Sequence, residues 1–301
     1  MFDYIIIGGG SAGCLLANRL SEDPANKVCL LEAGPVDTSH FIHNCNPVNM
    51  LYLMNSKTYN WGFYAEGNSK TGKRRFFWPR GRTLGGSSAV NAMIYSRGHK
   101  SDFDHWAKLG CTGWDFKSLL PYFKKSERQQ RGADDYHGTD GTMDVVDPTF
   151  HFPVSEAFLN ACIEAGIPKN HDINGKDYEG VDYFQITQTP NGRRAHSSVT
   201  FLDPVRHQKN LTIITNAHVS KILFDQKTAS GVEYFDLADR KAIKRIYAKK
   251  EIALSAGIIG SPQILKLSGV GPADELRRFD IPVLHDLPGV GENLQDHPDV
   301  I

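Results

Sequence analysis

The sequence predicts an α/β fold built on a parallel sheet. Three features of the first 32 residues carry that expectation: an apolar strand running into glycines, a G-x-G-x-x-G turn opening a helix, and a second apolar strand closed by an acid. Ile5, Ile6 and Ile7 form the first apolar run, as a strand buried on both faces requires. Gly8, Gly10 and Gly13 supply the turn. The first allows the tight bend, the second lets backbone approach a pyrophosphate, and the third lets helix and strand pack closely. Ser11 and Ala12 open the helix, whose amide N–H groups present the positive end of its dipole to an anion. Leu15, Leu16, Ala17 and Leu20 continue as its inner face, and Val28–Leu31 form the second strand. Glu32 closes that strand, where a carboxylate can accept both hydroxyls of an adenosine ribose. The acid argues against a 2′-phosphorylated cofactor but leaves FAD and NAD both open.

Composition sets limits. The chain has 34 basic and 34 acidic side chains, so it carries no electrostatic footprint for nucleic acid or an anionic membrane. No run of 18 apolar residues is present, so no transmembrane segment is expected. The first strand begins almost at Met1, which reads as leaving no room for a leader peptide. Five cysteines without metal-type spacing read as reduced thiols, with Cys14 and Cys29 as small buried side chains, and the cytoplasm is the expected location.

The block at residues 78–106 carries a second signal. Gly81, Gly85 and Gly86 around Arg80 and Arg82 make a loop whose backbone can approach a flat or charged ligand. Ser87 and Ser88 add hydroxyls, and Asn91 adds an amide that both donates and accepts. Such a loop suits a pyrophosphate or the pyrimidine edge of a flavin. It is also the composition of an ordinary turn.

The stretch Gly81–Asn91, continued through Tyr95, Gly98 and Asp104, resembles the first signature of the glucose-methanol-choline (GMC) oxidoreductases. Gly257–Gly271 resembles the second, departing at Ile258, where the family usually has a smaller residue. Segments 59–68, 192–204, 210–224 and 288–298 are also similar to family segments, nearest to choline dehydrogenases and related bacterial alcohol dehydrogenases. The resemblance implies FAD as cofactor and a Rossmann-like FAD-binding domain with a parallel sheet and β-meander, plus a partial substrate domain. It implies cofactor contacts from Gly8, Gly10, Ser11, Ala12, Gly13, Glu32, Arg82, Gly86, Ser87, Asn91, Ala92, Val219, Ala256 and Gly257. Val219 takes the place where the family offers backbone groups to adenine. Some relatives link FAD to a histidine just before the signature asparagine; this chain has Val90 there, which implies non-covalent binding.

The domain division expected from this resemblance is 1–148 for the FAD-binding domain with its lid-side extension, 149–204 for a partial substrate segment, and 205–301 for the FAD-binding domain continued. Residues 33–77 read as polar and irregular, and Phe152–Pro168 as an amphipathic helix with Val154, Phe158, Ala161, Cys162 and Ala165 on one face. Phe184–Gln188 alternate as a strand. Leu211–Ile214, Lys221–Phe224, Gly231–Phe235 and Glu251–Leu254 read as four more.

By resemblance, the activity is oxidation of an alcohol to a carbonyl, with hydride passing to flavin and electrons then to an acceptor. The family's catalytic histidine belongs to a carboxy-terminal half expected beyond Ile301, so no catalytic residue is assigned and that half is expected, where separate, as a partner chain. His99, His105 and His196 read as surface or structural residues, and His297 as a domain-junction residue. Two other readings stand beside this one: a non-catalytic flavin-binding remnant and a hydroxynitrile lyase. Trp61, Phe63 and Tyr64 suggest a cation-binding aromatic cluster or plain packing.

Overall fold

The computed structural model describes residues 1–296. His297, expected at a domain junction, and Ile301, beyond which the family's catalytic base is expected, lie outside the described residues. The chain divides into two units. The first comprises Met1–Thr38, Leu51–Val90 and the chain from Ser197 onward, and the second comprises Ser39–Met50 and Asn91–His196.

The first unit is organised by a six-stranded sheet. Its strands are β1 (Phe2–Ile7), β2 (Val28–Leu31), β3 (Leu211–Ile214), β4 (Ala217–Asp225), β5 (Thr228–Asp236) and β6 (Asp239–Leu254). Their spatial order is β3-β2-β1-β6-β5-β4. The first four are parallel, and β6, β5 and β4 form an antiparallel meander. The parallel sheet expected from the first 32 residues is therefore present, extended by the β-meander that the resemblance implies. Ile7 pairs with Leu31 and Leu254, and Leu31 with Ile214, so the four parallel strands end in register. In an open parallel sheet that edge is where ligands bind.

Burial explains why these segments become strands. Ile5, Ile6, Cys29 and Leu30 are wholly inaccessible, as continuous apolar runs must be in a sheet covered on both faces. Val219, Ile222, Val232 and Tyr234 of the meander join Ile5, Ile7 and Leu31 in one core cluster. Cys14 and Cys29 are buried, and burial pushes both thiols up to about 12, so they are inert packing groups. All five cysteines are free.

Several boundaries differ from expectation. β6 runs over sixteen residues rather than the four at its end, because the charged stretch from Asp239 pairs with β5 while its side chains face solvent. Residues 33–77 are not wholly irregular: helices span His40–His43 and Pro47–Asn55, and Phe63–Ala65 pairs antiparallel with Phe76–Trp78. Phe184–Gln188 forms no strand; Ile186 makes isolated bridges to Ile94 and Val146 instead.

The second unit holds helices Lys100–Lys108, Phe116–Ser126 and Pro153–Glu164, with a short parallel pair of Glu127–Gln129 and Met143–Val145. The helix expected at 152–168 is present, but none of its residues is buried. Its apolar face is largely open, with Val154 75% and Phe158 65% exposed. Among the described residues, no helix is long and apolar enough to cross a membrane.

Candidate functional site

The C-terminal edge of the parallel strands in the first unit gathers the glycine turns. Gly8 leaves β1 with φ +97°, a conformation that suits glycine, and its N–H donates to the Leu31 carbonyl at 2.8 Å. A β-carbon there would sit 2.5 Å from the Ser255 oxygen. A β-carbon on Gly13 would drive into the Gly8 carbonyl. The helix Ser11–Ser21 is thereby pressed against its strand, as the third glycine of the motif requires.

Gly10 differs. A β-carbon on it would meet nothing nearer than Gly86 Cα, 3.9 Å away, so the space beside it is open. Gly10 caps the helix without a side-chain hydrogen bond, its first turn contains no acid, and Ser11 and Ala12 are exposed. Unpaired amides at a helix start favour an anion.

The second glycine loop closes against the first. Gly85 N–H donates to Gly9 O at 2.7 Å, and Gly86, at φ +54°, leaves so little room that a β-carbon would lie 2.7 Å from Gly10 Cα. Ser88 Oγ donates to Gly85 O at 2.6 Å, while Ser87 Oγ accepts from Gly81 N–H at 3.2 Å. The Arg82 guanidinium bonds the Lys57 and Thr58 carbonyls and lies over the Trp61 ring. Trp61 stacks on Phe63 with centroids 5.8 Å apart and meets His218 edge-on.

Glu32 is buried at the end of β2. Its carboxylate accepts from Gly9 N–H and Gly34 N–H, each at 2.8 Å. Burial raises its pKa to about 7, against the pull of those amides and of Arg82. Ala256 and Gly257 follow β6, and a β-carbon on exposed Gly257 would meet open space. Val219 packs its side chain into the core from β4.

Asn91 and Ala92 belong to the second unit. Asn91 Oδ1 accepts from Met93 N–H at 3.1 Å and from Arg194 Nη1 at 3.0 Å. Arg194, almost inaccessible, also donates to the carbonyls of Asn91 and Ile42. Arg194 is a position that sequence reasoning missed. Ser255 Oγ bonds the carbonyls of Ile7 and Gly8, tying β6 to the first turn. The signal for Arg194 was its place in the Gly192–Pro204 segment; Ser255 was legible as the first of the small residues Ser255-Ala256-Gly257 that end the last strand. His99 caps its helix through Ser101 N–H, His105 is exposed, and His196 is buried beside His43.

This arrangement of closing turns, one uncrowded glycine, a bare helix start and a buried acid fits a dinucleotide pyrophosphate and ribose. Comparison with known proteins places the chain in a family. An alcohol dehydrogenase (acceptor) of Pseudomonas putida is 48% identical over 301 residues, covering 100% of this chain and 54% of that protein. An oxygen-dependent choline dehydrogenase of Pectobacterium atrosepticum is 46% identical over 298 residues, covering 98% and 53%. An FAD-dependent oxidoreductase from Chaetomium thermophilum superposes with a TM-score of 0.89 at 35% identity, over 96% of this chain and 51% of that one. The chain thus spans about half the length of the curated relatives it matches. Residues 2–299 match the GMC oxidoreductase family, and the chain belongs to it.

Proposed function

We propose that the chain provides the FAD-binding portion of a flavoenzyme that oxidises an alcohol to a carbonyl. The observation that carries this is the contrast among the glycines. Gly8, Gly13 and Gly86 are glycines because backbone crowds them, whereas Gly10 is a glycine facing open space. A ligand is what that space accommodates.

Gly10, Ser11 and Ala12 would hold the pyrophosphate through the helix start, with Gly86 and Ser87 walling the opposite side. Glu32 would bind the adenosine ribose, its two oxygens each keeping lone-pair capacity beside the amide they already accept. Val219 would offer backbone to the adenine, and Arg82, Ala256 and Gly257 would contribute the remaining contacts of the first unit. Gly257 leaves a flat ring unobstructed because it has no side chain. The chemistry FAD supplies when bound is acceptance of hydride from the alcohol carbon. None of the described histidines is assigned as the base; in this reading the base comes from the family's half beyond Ile301. Val90 has no group for a covalent link and is itself buried, which supports non-covalent attachment. Five free thiols fit a reducing compartment such as the cytoplasm. The alcohol substrate follows from the named activities of the relatives.

The test is to denature the purified protein with acid and identify the nucleotide released. FAD in solution, with none left on the polypeptide, is expected. Recovery of NAD without flavin overturns the reading. Glu32→Ala should weaken FAD binding by about 1.5–3 kcal/mol, the range for hydrogen bonds to a charged group.

A further inference from the structure

The second unit contains a buried ring of polar groups that the proposed cofactor site does not use. Arg97 Nη2 donates to Glu127 Oε1 at 2.6 Å, and His137 Nδ1 lies 3.0 Å from the same oxygen. His137 Nε2 lies 2.8 Å from Asp172 Oδ2. Asp172 Oδ1 accepts from Asn174 N–H at 3.0 Å, and Asn174 Oδ1 accepts from Arg97 N–H at 2.9 Å. Asn174 Nδ2 then donates to the Tyr95 carbonyl at 3.0 Å. The circuit leaves the 95–97 segment through the Arg97 side chain and returns to it through the main chain. Four stretches distant in sequence are closed on one another.

The imidazole is the link on which the circuit turns. Ionised carboxylates only accept hydrogen bonds, so an imidazole between two of them must donate from both nitrogens and carry a proton on each. We propose that His137 is a proton-operated clasp: protonated, it closes the ring that fixes residues 95–97, and on losing its Nδ1 proton to solvent it opens that ring. Loss of the proton turns a lone pair toward Glu127 Oε1, and attraction becomes repulsion in a site where Glu127 is inaccessible to water.

The surrounding charges support the protonated form. Arg97 and the imidazolium balance Glu127 and Asp172. The Arg97 guanidinium, 3.4 Å from Nδ1, opposes the imidazolium. Asp134, whose Oδ1 accepts from His137 N–H, favours it, while Arg131 acts on Asp172 and half-buried Tyr95 acts on Glu127. The Gln129 amide, 3.3 Å from Nδ1, is held in a reciprocal pair with Gln185. Burial works against the charge on His137, but its bonds to Asp172 and Glu127 outweigh it and bring the pKa to about 9. The residues fixed by the ring continue from Asn91 and Ala92, so the clasp steadies the segment that leaves the signature loop.

Nitrogen-15 NMR of the histidine-labelled, FAD-loaded protein tests this without a mutation. Both His137 ring nitrogens should be protonated at pH 7. Hydrogen exchange of residues 93–98 and 172–176, corrected for intrinsic rate, should accelerate at least tenfold between pH 8 and pH 10. His137→Gln should exchange fast at pH 7 and lose that pH dependence. A neutral, single-tautomer imidazole at pH 7, or protection unchanged up to pH 10, overturns the clasp. Zinc binding that disappears in His137→Gln also overturns it. Asp134, His137 and Asp172 offer ligand atoms within 4.8 Å of one another, and the clasp leaves Nε2 no lone pair for a metal.

Discussion

Gly10 and Gly13 stand three residues apart in one turn and do opposite work. Gly13 is fixed by the protein, since any β-carbon collides with the Gly8 carbonyl. Gly10 is free as far as the protein is concerned. Substitution separates the two. Gly13→Ala should lower stability by about 1–3 kcal/mol, the usual cost of overpacking, and lose flavin with the fold. Gly10→Val should keep its circular dichroism and melting temperature yet abolish flavin content, because the branched side chain fills the pyrophosphate approach. Thermal melts beside absorbance at flavin wavelengths read both. Normal flavin content in folded Gly10→Val would mean the cofactor lies elsewhere.

At the scale of the element, legibility follows from how local the determining physics is. Strand β1, the first helix and β2 were readable because each apolar run ends in the residue type its neighbour requires. Residues 239–247 were not, since charged pairs such as Lys244-Arg245 resemble a solvated loop until pairing with β5 supplies the ladder. Ile186 failed as a strand because its pairing to Ile94 and Val146 stays at single bridges and builds no ladder. The glycines of the cradle were visible as a spacing. Arg194 and the Arg97–Glu127–His137–Asp172 ring were not, because their partners lie tens of residues away in the chain. The helix Pro153–Glu164 has the expected periodicity, and Val154, Phe158 and Ile163 on it are exposed. Phe158→Glu should leave the melting temperature of the 1–301 polypeptide unchanged, since nothing is unpacked, and should reduce binding of a hydrophobic dye. A drop of several degrees would show that Phe158 is packed.

At the scale of the whole molecule, two buried groups make stability fall with rising pH, each in its own unit. Glu32 in the first unit has its pKa raised by burial from 4.5 to about 7. A raised acid favours the folded state while it keeps its proton. Its contribution is complete below the ordinary carboxylate value and is lost as pH rises through about 7. A shift of this size is worth on the order of 3 kcal/mol. His137 in the second unit has its pKa raised from 6.5 to about 9, so its contribution is complete below 6.5 and lost as pH rises through about 9. Cofactor-free protein should therefore weaken in two steps, the first spread from about pH 4.5 to about 7 and the second from about pH 6.5 to about 9. Hydrogen exchange followed by mass spectrometry assigns them: peptides around residues 28–34 should report the first step, and those around 93–98 the second. Glu32→Gln should remove the first step alone, because its neutral amide no longer titrates, and His137→Gln the second alone. A single transition, or both steps shifting together in either variant, would show that these two groups do not govern the pH response.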